Sequence, residues 1–344
     1  MEGPAMTIIA LDHLAGREAA ALLVDGRLED LLIDGSAPRP GTIYRAVADR
    51  PVKGQGGMFL RTPDGSAFLR QVKGLAPGRP ILVQVTGHAE PGKAIPVTAR
   101  VLFKSRYAIV TPEAPGLNIS RSIRDGEERV RLHEIAHAEM GESDQGLILR
   151  SACEHAADEA IAGDIRAMRD LAQAVLADAD GREPGKLVEG DGPHALAWRD
   201  WPEPDTLADA AGSFGAHGVL DALEALRAPE VSLPGGASAF IEPARALVAV
   251  DVNTGPDTSP AAGLKANLAL ARDLPRQLRL RGLGGQITLD LAPMPRKDRR
   301  LFEDALRAAF RRDGIETVLA GWTPLGHYEL QRKRARTPLA ELLS

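Results

Sequence analysis

Leu247-Val-Ala-Val-Asp-Val-Asn253 and Ile287-Thr-Leu-Asp-Leu291 are short apolar runs, each interrupted by one aspartate, and their surroundings decide the architecture. The pattern reads as a strand over Ala246 to Val252, a helix over Ala261 to Leu280 and a strand over Gln286 to Leu291. A helix over Arg299 to Arg312 and a strand over Glu316 to Ala320 follow. This alternation predicts an α/β sheet with crossover helices, whose functional residues lie near the carboxyl ends of its strands.

Upstream, Val231-Ser-Leu-Pro-Gly-Gly-Ala-Ser-Ala-Phe-Ile-Glu-Pro243 reads as a strand pair about Pro234-Gly235-Gly236, preceded by a helix from Gly218 to Arg227. Asp178 to Ala211 is rich in Asp, Gly and Pro with little periodicity, and reads as a loop-rich insert. Glu154 to Leu176 reads as one amphipathic helix, and Gly146-Leu-Ile-Leu-Arg150 as a strand closing a charged segment that starts at Gly116. From Thr42 to Val110 about five short alternating runs are separated by turns such as Gly54-Gln-Gly-Gly57, Pro63-Asp-Gly65 and Pro91-Gly92. These predict a small barrel, with the oligonucleotide-binding (OB) fold as the candidate and a ligand-free barrel as the alternative. The first thirty-five residues read as a hairpin turning at Asp25-Gly26.

At 344 residues and 44% hydrophobic, the chain can build two to four compact units. Its single cysteine, Cys153, excludes an internal disulfide and a cysteine-rich zinc site within one chain. No leader-like start and no run near the ~18 apolar residues of a membrane span are found, so a cytoplasmic protein without a membrane span is expected. The net charge of -5 conceals an asymmetry. From Gly263 onward there are 16 basic and 9 acidic residues, a balance of +7 against -12 before it. A nucleic-acid surface confined to one region gives such a pattern, and so do ordinary solvated helix faces.

An aspartate inside an apolar strand is costly if buried, unless it is paired or bound to a cation. If the strands carrying Asp251 and Asp290 are neighbours, both acids can converge on one hard cation that keeps several waters. Asn253, two residues beyond Asp251, points to the same face and can orient that carboxylate. The competing reading is that each aspartate ends a strand and caps a turn.

Ala249-Val-Asp-Val-Asn-Thr-Gly255 and Leu278-Arg-Leu-Arg-Gly-Leu-Gly-Gly-Gln-Ile-Thr-Leu-Asp-Leu-Ala-Pro-Met294 resemble, in order and spacing, the two metal-site motifs of the ribonuclease E/G family. The glycine-turn hairpin from Val231 resembles the family's approach to the first motif. The resemblance implies an endoribonuclease that cuts single-stranded RNA to 5'-phosphate and 3'-hydroxyl ends. It implies Asp251 and Asp290 as Mg2+ ligands, with Mn2+ as a substitute, and Asn253 as the residue that positions Asp251. It also implies base-stacking Phe59 and Phe68 with Lys93 as a basic RNA contact, although phenylalanines in short strands are also core residues. Arg150 and Ser151, with Arg121 contributing, would sense a 5'-phosphate, a surface ion pair being the alternative for the arginine. Arg332, Lys333 and Arg334, together with Arg296, Lys297, Arg299 and Arg300, would track the RNA backbone.

The family's Cys-x-x-Cys zinc-link is absent, so no zinc is expected, and the 178–211 region looks abbreviated. The architecture the resemblance implies is a ribonuclease-H-like subdomain (1–36 with 152–226) carrying an inserted OB-fold RNA-binding barrel (37–110) and a 5'-sensor (111–151). A deoxyribonuclease-like α/β catalytic domain (227–344) follows. Single-stranded RNA, and a second copy of the chain in a homodimer, are the expected partners. The rivals are a catalytically silent RNA-binding or ribosome-associated module and a magnesium phosphohydrolase of small molecules, the latter needing a deep pocket.

Overall fold

The computed structural model describes residues 5–52, 56–72, 74–90 and 92–343, so the Gly54 turn and the Pro91-Gly92 turn fall partly outside the described residues. Two compact units form, one of 34–203 and one of 1–33 with 204–344. No helix among the described residues is long and apolar enough to cross a membrane.

The chain opens with three antiparallel strands of the second-named unit, β1 (Thr7–Leu14), β2 (Arg17–Val24) and β3 (Arg27–Ile33). Asp25 and Gly26 both take positive φ, as the turn chemistry requires, and Ala15-Gly16 makes a second turn of the same kind. The expected hairpin is therefore a three-stranded meander. Alanine at the second of those turns hides it from sequence reading.

Within 34–203, β4 (Ile43–Val52), β5 (Gly57–Thr62), β6 (Gly65–Leu69), β7 (Pro80–Val85) and β8 (Ile95–Thr98) pair in the order β4-β5-β6-β8-β7. β7 returns to pair with β4, closing a five-stranded barrel in which, among the described residues, β6 with β8 is the only parallel contact. Alternate residues, among them Tyr44, Ala46, Met58, Leu60, Leu69, Val83 and Val97, fill its interior. The barrel is consistent with an OB-like domain. It ends earlier than Val110. β9 (Phe103–Lys104), β10 (Ala108–Thr111), β11 (Leu117–Ile119) and β12 (Gly146–Leu149) form a separate sheet in the order β11-β12-β10-β9.

Helices α1 (Gly126–Met140) and α2 (Asp158–Ala177) share a core with that sheet, Ile161, Ile165, Ala172 and Val175 packing with Val110, Leu147 and Leu149. α2 thus groups with the segment expected to be the sensor and not with the first 36 residues, because its apolar stripe is buried there. The insert expected to be loop-rich holds β13 (Gly185–Val188), which pairs with β4, and α3 (Pro193–Asp200). Each is too short to show a period.

In the other unit, β14 (Thr206–Ala208) adds to β1 in parallel, and α4 (Ser213–Ala216) and α5 (Val219–Arg227) cover Ala19, Ala21 and Leu23. The remainder is β15 (Glu230–Ser232), β16 (Ser238–Pro243), β17 (Val248–Asn253), α6 (Ala262–Leu280), β18 (Gly285–Asp290), α7 (Arg299–Arg312), β19 (Thr317–Trp322), β20 (Tyr328–Arg332) and α8 (Leu339–Leu342). The six strands order as β15-β16-β17-β18-β20-β19, with β17 and β18 parallel and the other pairs antiparallel. Leu270, Leu274 and Leu278 of α6 and Phe302, Leu306 and Phe310 of α7 bury against one face, each worth roughly 1.5–3 kcal/mol. On the other face residues of β17 and β18 alternate outward.

Candidate active site

That outward face carries the two aspartates. In the parallel β17–β18 ladder Asp251 is the register partner of Asp290, so the carboxylates stand side by side at the ends of adjacent strands. Asn253 Nδ2 donates to Asp251 Oδ2 at 2.9 Å, as period-two geometry allows. Both acids are exposed, Asp290 with 67% of its side chain open. This corrects the expectation drawn from their apolar neighbours: Val250, Val252, Ile287 and Leu289 face the core, and the aspartates pay no burial cost that a cation must relieve.

The turns that follow each strand are held by groups the motifs contain. Gly255 has φ +62°, and a Cβ there would lie 2.0 Å from the Gly236 carbonyl oxygen, so the first motif and the glycine turn of the preceding hairpin touch backbone to backbone. After β18, Asn267 of α6 is fully buried and clamps Ala292: its Nδ2 donates to the Ala292 carbonyl at 2.9 Å, and the Ala292 amide donates back at 3.0 Å. A Cβ on Gly263 would meet the Pro293 carbonyl oxygen at 1.9 Å, which is why the start of α6 can approach that loop.

One residue of this face was invisible in the sequence. His327, in the β19–β20 turn, brings Nδ1 to 3.3 Å from Asp290 Oδ1. It follows an unremarkable Leu-Gly pair, and only the strand pairing places it.

The basic stretch Gln331 to Arg334 behaves differently from the expectation. Tyr328, Leu330 and Arg332 point inward from β20, and the arginine masks the strand's alternation. Arg332 is buried, its Nη1 donating to Asp313 at 2.5 Å and to Thr317 Oγ1 at 2.9 Å, so it is not a contact to RNA. Lys333 is exposed and Arg334 half-buried. Arg296, Lys297 and Arg300 are exposed, whereas Arg299 lies 4.1 Å over the Trp322 ring.

In the 34–203 unit, Phe59 and Phe68 are register partners on the outer barrel surface, half-buried, with ring centroids 5.2 Å apart. Arg50 stacks on Phe59 at 5.0 Å, and the Phe68 ring fills the place a Cβ of Gly57 would take. Lys93 is exposed and pairs with Glu90 at 2.7 Å. The parallel pairing of Ile119 with Leu149 runs Arg121 and Ser151, both exposed, out of adjacent strand ends. Arg150 is spent internally: Nη1 donates to the carbonyls of Ser105, Arg106 and Arg199, and Nη2 to Asp200 at 2.7 Å. Lys104 and Arg199 reach the same carboxylate. α1 also carries His133-Glu-Ile-Ala-His137, a helical metal-ligand spacing, with its rings 6.1 Å apart and both histidines exposed. Among the described residues no group of three His, Cys, Asp or Glu could hold a metal ion, so this pair lacks a third ligand.

A carboxylate pair on an open mixed sheet, in a chain that also holds a small closed barrel, defines the class: a mixed α/β protein with an OB-like barrel. The chain belongs to the ribonuclease E/G family, which residues 103–208 and 205–335 match. It is 26% identical to ribonuclease E of Nostoc sp. over 98% of this chain and 57% of that protein. It is 27% identical to ribonuclease G of Salmonella typhimurium, and 26% to that of Escherichia coli strain K12, each over 98% of this chain and 82% of the relative. The chain therefore spans little more than half of the cyanobacterial protein. That alignment runs over 396 positions against a chain of 344, so the relative has segments with no counterpart here. The family match also divides at 205–208, within the 178–211 region that looked abbreviated.

Proposed function

We propose that the chain is an endoribonuclease of single-stranded RNA that uses a divalent cation, with Mg2+ as the physiological ion, and leaves 5'-phosphate and 3'-hydroxyl ends. The observation that carries this reading is the register pairing of Asp251 with Asp290 at the ends of the two central strands, on the solvent-facing side of the sheet, with Asn253 bonded to the first. Two exposed carboxylates with no third strong ligand among the described residues fit a hard ion that keeps most of its waters, and fit poorly a closed zinc site. When bound there, such an ion polarises a phosphoryl oxygen and lowers the pKa of a coordinated water.

The protein's own part is positional. Asp251 and Asp290 are fixed by the ladder, Asn253 turns one carboxylate, and Asn267 holds the loop after the other. An open face admits a polymer where a deep pocket would not, which favours RNA over a small phosphoester. Phe59 and Phe68 offer stacking at ~1–3 kcal/mol per base, and Lys93 and Lys333 offer phosphate contacts. For a 5'-phosphate the available groups are Arg121 and Ser151, since Arg150 would first have to release Asp200.

The experiment is cleavage of one short unstructured RNA by wild type and Asp290→Asn, with and without Mg2+, on 5'-monophosphate and 5'-triphosphate substrates. Internal cuts that need Mg2+ and vanish in the variant are expected. Binding without cleavage in the wild type would support the silent RNA-binding module instead, and equal rates on the two 5' ends would remove the sensor.

A further inference from the structure

We propose that His327 is a positioning residue for the cation site, holding the Asp290 carboxylate as Asn253 holds that of Asp251. The inference rests on the reading of Asp251 and Asp290 as cation ligands and adds a residue to it.

Backbone register carries the case further than one side-chain distance does. In the β18–β20 ladder the last pair is Leu289 with Tyr328, so one step beyond it His327 stands opposite Asp290. In the β16–β17 ladder Phe240 faces Asp251, and in the β17–β18 ladder Asp251 faces Asp290. Phe240, Asp251, Asp290 and His327 therefore form one row across four strands. Neighbours in such a row have side chains ~5 Å apart on one face.

The turn that presents His327 is itself fixed. The Thr323 amide donates to the His327 carbonyl at 2.8 Å, the His327 amide donates to Thr323 Oγ1 at 3.2 Å, and Gly326 takes φ +94°. The backbone that carries the ring is therefore held opposite Asp290. Its Nδ1 is 3.3 Å from Asp290 Oδ1, with 37% of the histidine side chain exposed.

The two carboxylates thus each have one nitrogen beside them on the same face, Asn253 Nδ2 hydrogen-bonded at 2.9 Å and His327 Nδ1 in contact at 3.3 Å from the turn. A third-ligand role suits His327 less well, because the described residues hold no group of three such side chains able to bind one ion. The Nδ1 contact is to Oδ1, so a small turn of the ring that brought Nδ1–H into line would leave Oδ2 free to face the cation. Partners of this kind fix a ligand's orientation and raise metal affinity, and their loss costs 10–100-fold.

The test is Mn2+ binding by the full chain without RNA, read from the paramagnetic resonance of free Mn2+, with a thermal melt on each variant. His327→Leu removes the donor at similar volume, whereas His327→Asn places an amide N–H close to the Nδ1 position. The expected result is an affinity about tenfold or more weaker for His327→Leu, recovery to within about threefold of wild type in His327→Asn, and unchanged melts. Wild-type affinity in His327→Leu would overturn the proposal, and so would His327→Asn as weak as His327→Leu. Asp251→Asn and Asp290→Asn separate the two layers. If neither weakens Mn2+ binding, the carboxylate reading fails and takes this one with it; if both do and His327→Leu does not, only His327 is removed.

Discussion

Arg332→Ala tests whether the basic stretch of β20 serves the fold or the RNA. Its guanidinium is wholly inaccessible and its partner Asp313 is 1% exposed, so removing the arginine leaves a buried carboxylate. Breaking a buried pair from one side costs about 3–5 kcal/mol. Two features set the value within that range. Arg279 also pairs with Asp313 and remains after the substitution, which pulls the cost down. The lost bond to Thr317 and the lost packing against Phe310, 5.7 Å from the guanidinium carbon, pull it up. Nε and Nη2 of Arg332 have no hydrogen-bond partner in their buried setting, so the arginine itself is worth less than its removal costs. The expectation is a loss of about 3 kcal/mol in urea unfolding, followed by the fluorescence of Trp322 in a Trp198→Phe, Trp201→Phe background. Lys333→Ala, one residue on and exposed, should unfold like wild type and flatten the salt dependence of RNA binding by about 0.7 in log–log slope. The reasoning is refuted if Arg332→Ala keeps wild-type stability and flattens the salt slope instead.

Asn267→Ala should cost about 3 kcal/mol, because it strands the buried N–H and C=O of Ala292, and amide exchange at Ala292 should accelerate; an unchanged exchange rate would count against the clamp. Cys153 is buried and its thiol is pushed up to about 12, so Ellman's reagent at pH 8 should label the chain only after unfolding, and rapid labelling of the native protein would contradict that burial. For Asp200, burial pushes the carboxyl up, but hydrogen bonds from Arg199 and Lys104 outweigh it and hold the group below its ordinary value of 3.8. A depressed carboxylate gives stability that is full above the unfolded value and fades as pH falls through the folded one. The melting difference between wild type and Asp200→Asn should therefore be constant above about pH 4 and narrow only below it, and narrowing already at pH 5–6 would contradict the reading.

Long periodic elements were legible in the sequence and short ones were not. The helix over Arg299 to Arg312 has the expected bounds, and that of Ala261 to Leu280 shifts by one residue, because each carries an apolar stripe over many turns. β13, α3 and β14 lie where no pattern was visible, since segments of three to eight residues repeat a period too few times to stand out from their surroundings. β20 was hidden for a chemical reason. Its inward positions are Tyr328, Leu330 and Arg332, and a buried arginine reads as surface charge until Asp313, nineteen residues away, is seen beside it. Partners distant in sequence also explain Arg150, which Asp200 and three carbonyls engage, and Asn267, which looked like any polar helix residue.

The two aspartates expected from the sequence stand on an open face and not in the apolar interior, and the difference changes what a cation would do for the fold. Had Asp251 and Asp290 been buried, the unliganded protein would carry two uncompensated charges and metal removal would destabilise it. On the exposed face the like charges are open to solvent, each with a side-chain nitrogen within 3.3 Å. Binding then stabilises only by mass action, RT ln(1 + [L]/Kd), which is small for an ion held weakly by two carboxylates and its own waters. The protein should therefore fold fully in chelator, with metal needed for chemistry alone. A melting temperature that falls steeply on treatment with EDTA would show that the carboxylates are not arranged in this open row.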